Sequence, residues 1–169
     1  YKNQIIIENG PKPDFWRAPV DNDFGAGLNS SLRMWRNAYE KASVKSAEIS
    51  KDGENRVVRI EKELLDGDAA HVITYTVYPD GVIKVDNHFK ANKGNYSQLM
   101  RMGTLMELNK NYRNIEFFGR GPGENTWDRK VGSLLGVYKQ NVDNQYFPYA
   151  RPQEGGSKTD VRWVRFTDN

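Results

Sequence analysis

The chain has 169 residues, with 25 Lys plus Arg against 22 Asp plus Glu, a formal net charge of +3 and no cysteine. That near balance leaves no basic stripe for nucleic acid, and the missing thiols exclude a disulfide framework and a thiolate metal site. No apolar run approaches the ~20 residues of a membrane helix. The opening stretch Ile5-Ile6-Ile7 is too short for a signal peptide, and with no initial methionine the chain suits a piece of a longer polypeptide. The length predicts one domain over residues 1–169, with large rings supplying much of its core.

In chain order, a strand is expected at 4–8, followed by a dense block, Phe15-Trp16-Arg17-Ala18-Pro19-Val20-Asp21-Asn22-Asp23. One short helix comes next. Ser30 or Ser31 caps it, and Leu32, Trp35, Tyr39 and Ala42 share a face at helical spacing. Lys51-Asp52-Gly53-Glu54-Asn55 is a surface turn before a strand at 57–64. Residues 71–78, His-Val-Ile-Thr-Tyr-Thr-Val-Tyr, are rich in β-branched and aromatic side chains and predict a strand. Pro79-Asp80-Gly81 turns the chain, since proline presets φ and glycine accepts positive φ, and 82–89 returns as the antiparallel partner. A second surface turn is expected at 92–95, with further strands at 99–108, 114–118, 134–138 and 161–166. Short strands with hardly a helix between them predict an all-β fold, an antiparallel β-sandwich with one short helix.

Two more blocks share the character of the first: Phe118-Gly119-Arg120-Gly121-Pro122-Gly123-Glu124-Asn125-Thr126-Trp127-Asp128-Arg129, and Pro148-Tyr149-Ala150-Arg151-Pro152-Gln153-Glu154-Gly155-Gly156, running on to Arg162-Trp163. Proline and glycine make such stretches poor helices and poor central strands, so they read as long ordered loops. Their carboxylates Asp21, Asp23, Glu124, Asp128 and Glu154 are expected to accept from loop amides or to pair with Arg17, Arg120 and Arg129. The loop-structuring set is therefore Arg17, Asp21, Asn22, Asp23, Arg120, Glu124, Asn125, Asp128 and Arg129, with no catalytic residue among them. Sugars stack on open aromatic faces, which makes Trp127 and Tyr149, beside arginines and carboxylates, the candidates for contact with sugar or with another domain. Trp35 and Trp163 fall at core spacing.

Other chemistries fail on the residues. Asp21-Asn22-Asp23-Phe24-Gly25 opens like a calcium loop, but Leu32 stands where the closing glutamate belongs and Gly25 where a third ligand is due. Gly119-Arg120-Gly121-Pro122-Gly123 lacks the helix a dinucleotide loop opens and the P-loop lysine. His71 and His88 without further ligands make no zinc site, and no serine occupies a nucleophile elbow.

In this order and spacing the three blocks resemble the C-terminal small-chain domain of bacterial β-galactosidases of glycoside hydrolase family 2, with Arg101-Met102-Gly103 resembling a weaker strand motif between them. The resemblance implies a galactose-mutarotase-like supersandwich, here incomplete. It also implies that the catalytic glutamates lie in a separate barrel domain upstream, so that this portion supports the barrel and meets the galactoside indirectly. Two local departures stand out: Gly155 where asparagine is common, and Trp127 where tyrosine is frequent. The family domain usually continues well past the last block, with a tryptophan that helps form the sugar edge. A sandwich cut short leaves unpaired edges and predicts self-association. No cofactor or metal is expected. Nucleic acid and membrane are not expected partners, and bacterial cytoplasm and periplasm both remain open. The alternative functions are a carbohydrate-binding module and a purely structural scaffold between domains.

Overall fold

The computed structural model describes residues 4–92 and 98–168. Among them run nine strands, with two short helices near the start: β1 (Ile7–Asp14), α1 (Asp21–Gly25), α2 (Leu28–Ser31), β2 (Ser43–Asp52), β3 (Asn55–Leu64), β4 (Ala69–Val77), β5 (Ile83–Ala91), β6 (Gly103–Leu108), β7 (Asn114–Gly121), β8 (Leu134–Asn141) and β9 (Trp163–Thr167). The fold is all-β and antiparallel. The chain divides into two compact units, one of residues 1–12, 18–26 and 105–169, the other of 13–17 and 27–104. β1 pairs with β6, β2-β3-β4-β5 form a four-stranded meander, and β8-β7-β9 form a three-stranded sheet.

The meander belongs to the second unit. β4 alternates buried and half-buried residues, so that Ala69, His71 and Ile73 all point to one covered face. Its turn to β5 is the one expected, with Tyr78 N–H donating to Val82 O and Gly81 at φ 91°. Covering that face are Phe15, Leu32, Trp35 and Ala38, which with Leu64 and Ala69 form the core. The rings of Phe15, Trp35 and Phe89 sit 5.5–5.8 Å apart, mostly edge to face. Burying each such ring contributes about 1.5–3 kcal/mol, and each ring pair about 0.5–1.5 kcal/mol more.

The expected single helix is instead broken. α2 ends at Ser31, and a 3₁₀ turn carries Arg33–Asn37. Gly27 at φ 69° starts α2 and Leu32, at φ −106° and ψ 8°, ends it, so Ser30 and Ser31 close a helix rather than cap one. The Ser31 hydroxyl donates back to Gly27 O at 3.1 Å. Of the four residues expected on one face, Leu32 and Trp35 are buried in the core and Tyr39 and Ala42 pack half-buried against it, while the buried Ala38 lay outside that set. β2 went unforeseen because it is an edge strand, exposed along most of its length, with a register shift between Val44 and Ser46. The extra residue at that shift sets Val44 opposite Lys62, on the same face as Ala47 and Ile49 opposite Ile60 and Val58, although their spacing in the sequence breaks the period of two.

His71 is 1% exposed and its Nε2 has no hydrogen-bond partner. Phe15 and Tyr39 pack edge-on against its ring at 6.0 and 5.9 Å. Burial pushes its pKa down, Asn87 opposes this through a side-chain hydrogen bond, and Lys62 and His88 push it down further. The ring thus holds its proton less readily in the fold than in the unfolded chain, where it titrates near ~6.5. Below that pH the unfolded state binds a proton the folded state resists, so stability falls as pH drops and is flat above it. Urea unfolding between pH 8 and 5 is expected to show this slope, and His71→Phe to reduce it.

In the first unit, β7 is central and flanked antiparallel by β8 and β9, with Phe118 opposite both Val137 and Trp163. The second block therefore begins inside a central strand, against the expectation that it avoids one. Its glycines make this possible by close approach. A Cβ on Gly121 would lie 2.8 Å from the Tyr138 ring, and one on Gly119 3.0 Å from Val161 Cα. Phe117, 3% exposed, is the buried centre of this sheet and packs on Tyr138 at 5.5 Å. β1 begins later than expected and runs through two prolines, which a strand paired on one side tolerates because it needs fewer donors. β6 begins at Gly103, while Leu99 and Met100 pack against the core. The turn at 51–55 is a hairpin with Gly53 at φ 59°, and the one at 92–95 falls largely outside the described residues.

Candidate functional site

The second and third blocks converge where β7 ends. Asn125, 1% exposed, is the node. Its amide nitrogen donates to Arg120 O (2.9 Å) and Gly123 O (3.1 Å), and its Oδ1 accepts from Thr159 N–H at 2.9 Å and from the Thr159 hydroxyl. Its own N–H donates to Ser157 O at 2.9 Å. Every polar atom of that side chain is therefore engaged, as burial demands.

Glu124 holds the same two loops from the other side. Its side chain is 5% exposed. One oxygen accepts from the Arg129 guanidinium and the Tyr149 hydroxyl, and the other from Gly156 N–H. Arg129 also reaches the Tyr149 hydroxyl and, through Nε, Thr126 Oγ1 at 3.1 Å. Gly156 sits at φ 77° with Gln145 O 2.8 Å from where a Cβ would stand, so only glycine brings its amide to that carboxylate.

Arg120 pins the loop that follows. It donates to Asp160 at 2.6 Å, to Ser133 O at 2.7 Å and to Lys130 O at 3.3 Å. The Arg120 hydrogen bond, with Lys130 at 3.6 Å, holds the Asp160 carboxyl below the usual carboxylate range. The Thr126 hydroxyl and a backbone donor do the same for Asp128. Burial pushes the Lys158 ammonium down, an effect that the charge of Glu124 opposes.

Compared with known proteins, residues 1–169 match the family described as beta galactosidase small chain. The chain belongs to that β-galactosidase small-chain family. It is 35% identical, over its whole length, to a β-galactosidase of Priestia megaterium. Identity is 32% to one from Halalkalibacterium halodurans and 33% to one from Lactobacillus delbrueckii subsp. bulgaricus, each over 99% of this chain. The chain spans 16% of the length of the first relative and 17% of the other two.

Of the loop-structuring set, this small-chain structure gathers Arg120, Glu124, Asn125, Asp128 and Arg129 in one cluster. Asp23 is 5% exposed and accepts from Val20 N–H at 2.8 Å, closing the first turn of α1. Its neighbour Asn22 accepts from Ala26 N–H at 3.0 Å through its carbonyl. The first block, expected to be a poor helix, thus begins α1. Asp21 faces Arg151 at 3.6 Å, an exposed pair worth at most about 1 kcal/mol. Arg17 lies in the second unit. Glu154 accepts from Ala18 N–H at 3.1 Å, joining the first block to the third. Tyr149 is drawn into the Glu124 latch, its ring 4.6 Å from Phe147, whereas Trp127 stays 76% exposed. The sequence reading missed Thr159, Asp160 and Lys130. Their signal was faint, since the hydrogen bonds reach them from residues 10 to 40 positions away or run through a backbone carbonyl. Among the described residues no group of three or more His, Cys, Asp or Glu is arranged to hold a metal ion.

Proposed function

We propose that this chain is a non-catalytic β-sandwich portion of a family 2 β-galactosidase, of supersandwich type, that supports a catalytic barrel domain and shapes its galactoside pocket. The parent enzyme would hydrolyse terminal β-galactosides with retention, through two glutamates supplied by the barrel. The observation behind this reading is the engagement of Glu124, the most buried carboxylate of the loop cluster. Both of its oxygens are taken up by donors of its own unit. A nucleophile or proton donor needs an oxygen free for substrate, and this one is committed to the loops.

The purified chain, incubated with a chromogenic β-galactoside, is expected to give no turnover above a protein-free control. Hydrolysis that survives repurification and disappears in Glu124→Gln or Asp128→Asn would overturn the reading.

A further inference from the structure

An open strand edge is a row of unpaired N–H and C=O groups, and folded chains blunt it with charge, proline or bulges. β2 carries its bulge together with Lys45, Glu48, Lys51 and Asp52, and β1 carries Pro11 and Pro13. β8 is left plain. It runs against β7 with no register shift and no proline, and its one charge, Lys139, is drawn to Glu116 at 3.5 Å on the neighbouring strand. Leu135 and Val137 stand out along it, 51% and 56% exposed. Which of its backbone groups face outward follows from β7. Phe118 O accepts from Arg162 N–H at 2.8 Å and Arg120 N–H donates to Thr159 O at 3.0 Å, so the even residues of β7 turn to the β9 side. Its odd residues face β8, and Arg113 O accordingly accepts from Val142 N–H at 2.9 Å. The register then gives Leu134, Gly136, Tyr138 and Gln140 to the β7 ladder and points the N–H and C=O of Leu135, Val137 and Lys139 out of the sheet edge. Among the described residues nothing bonds to them. The row is closed at each end, where Ser133 O accepts from Arg120 at 2.7 Å and Asn141 O from the Gln145 side chain at 3.4 Å. Those two stops are equally far from Val137.

We infer that β8 is a dimerisation edge, on which a second copy of this chain lays its own β8 antiparallel about a two-fold axis at Val137. Such a pair matches groups at mirrored positions, so a row centred on Val137 with equal reach on both sides fits itself. A strand of foreign sequence has no reason to share that centre and those stops. In this register Val137 faces Val137 of the second copy, Leu135 faces Lys139, and the outward groups pair as about six hydrogen bonds. Like charges do not meet, and each Leu135 packs along a lysine stem whose ammonium stays with Glu116. On one face of the sheet Trp163, Phe118 and Val137 are aligned across β9, β7 and β8, and the pairing extends that row into one apolar stripe over both copies. A two-fold contact closes on itself, so assembly stops at the dimer. One short strand from each side buries an area at the low end for protein interfaces, which sets the expected Kd at about 10–300 µM. The inference rests on β8 alone and stands or falls separately from the non-catalytic reading.

The test is sedimentation equilibrium of the purified chain from about 5 to 500 µM, where a monomer–dimer equilibrium is expected. Val137→Lys sets two ammonium groups against each other at the axis and is expected to weaken the dimer at least about tenfold. Val137→Pro is expected to do the same, since it deletes an outward N–H that β7 does not use. Ile49→Lys, on the exposed edge β2, is expected to leave the equilibrium unchanged. Unchanged amide spectra away from β8 will show that these surface variants fold. The chain has no cysteine, so with oxidised glutathione Val137→Cys is expected to give disulfide-linked dimers and Leu134→Cys none. A chain that stays monomeric throughout, oligomers that grow past the dimer, or a dimer that Val137→Lys leaves intact would overturn the inference. So would slow hydrogen exchange at the Leu135, Val137 and Lys139 amides of a monomer, because a segment of the same chain would then occupy the edge. A full-length enzyme whose own further strand is bonded to β8 would count against it equally.

Discussion

Asn125→Ala is expected to destabilise the chain by about 3–5 kcal/mol, the largest effect of any single polar substitution in the loop cluster. The replacement removes both donors from Arg120 O and Gly123 O, and the acceptor from the Thr159 amide and hydroxyl. These groups lie in a site where Asn125 is 1% exposed, so water reaches them only if the loops part. Each buried group left unpaired costs about 1–3 kcal/mol. Asn125→Asp makes the mechanism visible. It keeps the oxygen that faces Thr159 but turns a second oxygen toward two carbonyls. The aspartate is therefore expected to be at least as damaging as alanine at pH 7, and to recover partly at low pH, where a protonated carboxyl can donate to one of them. Urea midpoints of the three proteins at pH 7 and pH 5 check this. Equal stability of wild type and Asn125→Ala would mean the blocks are held by something else.

That node explains how far the sequence could be read. Where a local rule decided the outcome, reading succeeded. Alternation and turn chemistry placed the β4–β5 hairpin, and helical spacing sent Leu32 and Trp35 to the core, with Tyr39 and Ala42 packed half-buried against it, even though α2 ends at Leu32. Where a long-range partner decided it, reading failed. β7 runs as a central strand through Gly119 and Gly121 because Val161 and Tyr138 press on them, and those neighbours are 42 and 17 positions away. β2 carries a bulge whose phase shift is visible only against β3.

The loop cluster followed the same division. Residue types announced it: arginines, carboxylates and an asparagine among prolines and glycines will find partners, because ordered backbone leaves many donors to satisfy. Which partner each takes was not legible. Tyr149 looked like an open ring face and is instead a hydroxyl donor to Glu124, while Trp127 in the same style of loop kept its face free. Asp160, outside all three motif cores, turned out to hold Arg120 from a residue at φ 55°.

Glu124→Ala is the second substitution expected to do large damage, by about 2–4 kcal/mol, because it takes the shared acceptor from three donors at once. The three are not equal. Arg129 is 49% exposed and can turn to water, so its share is modest. The Gly156 amide, fixed by a backbone that only glycine can adopt there, cannot turn away. Arg129→Ala is therefore expected to cost less than half as much as Glu124→Ala. Glu124→Gln is expected to fall between them, since its amide keeps one acceptor and sets a donor against a donor at the other oxygen. The loss should be local as well as global. With Glu124 gone, residues 146–156 lose their tie to the turn after β7, and hydrogen exchange at the Gly156 amide is expected to rise to the rate of an unprotected loop while the amides of β3 and β4 stay slow. Uniform acceleration in both units would show instead that the latch supports the whole chain. An unchanged Gly156 amide would show that the carboxylate does not hold it.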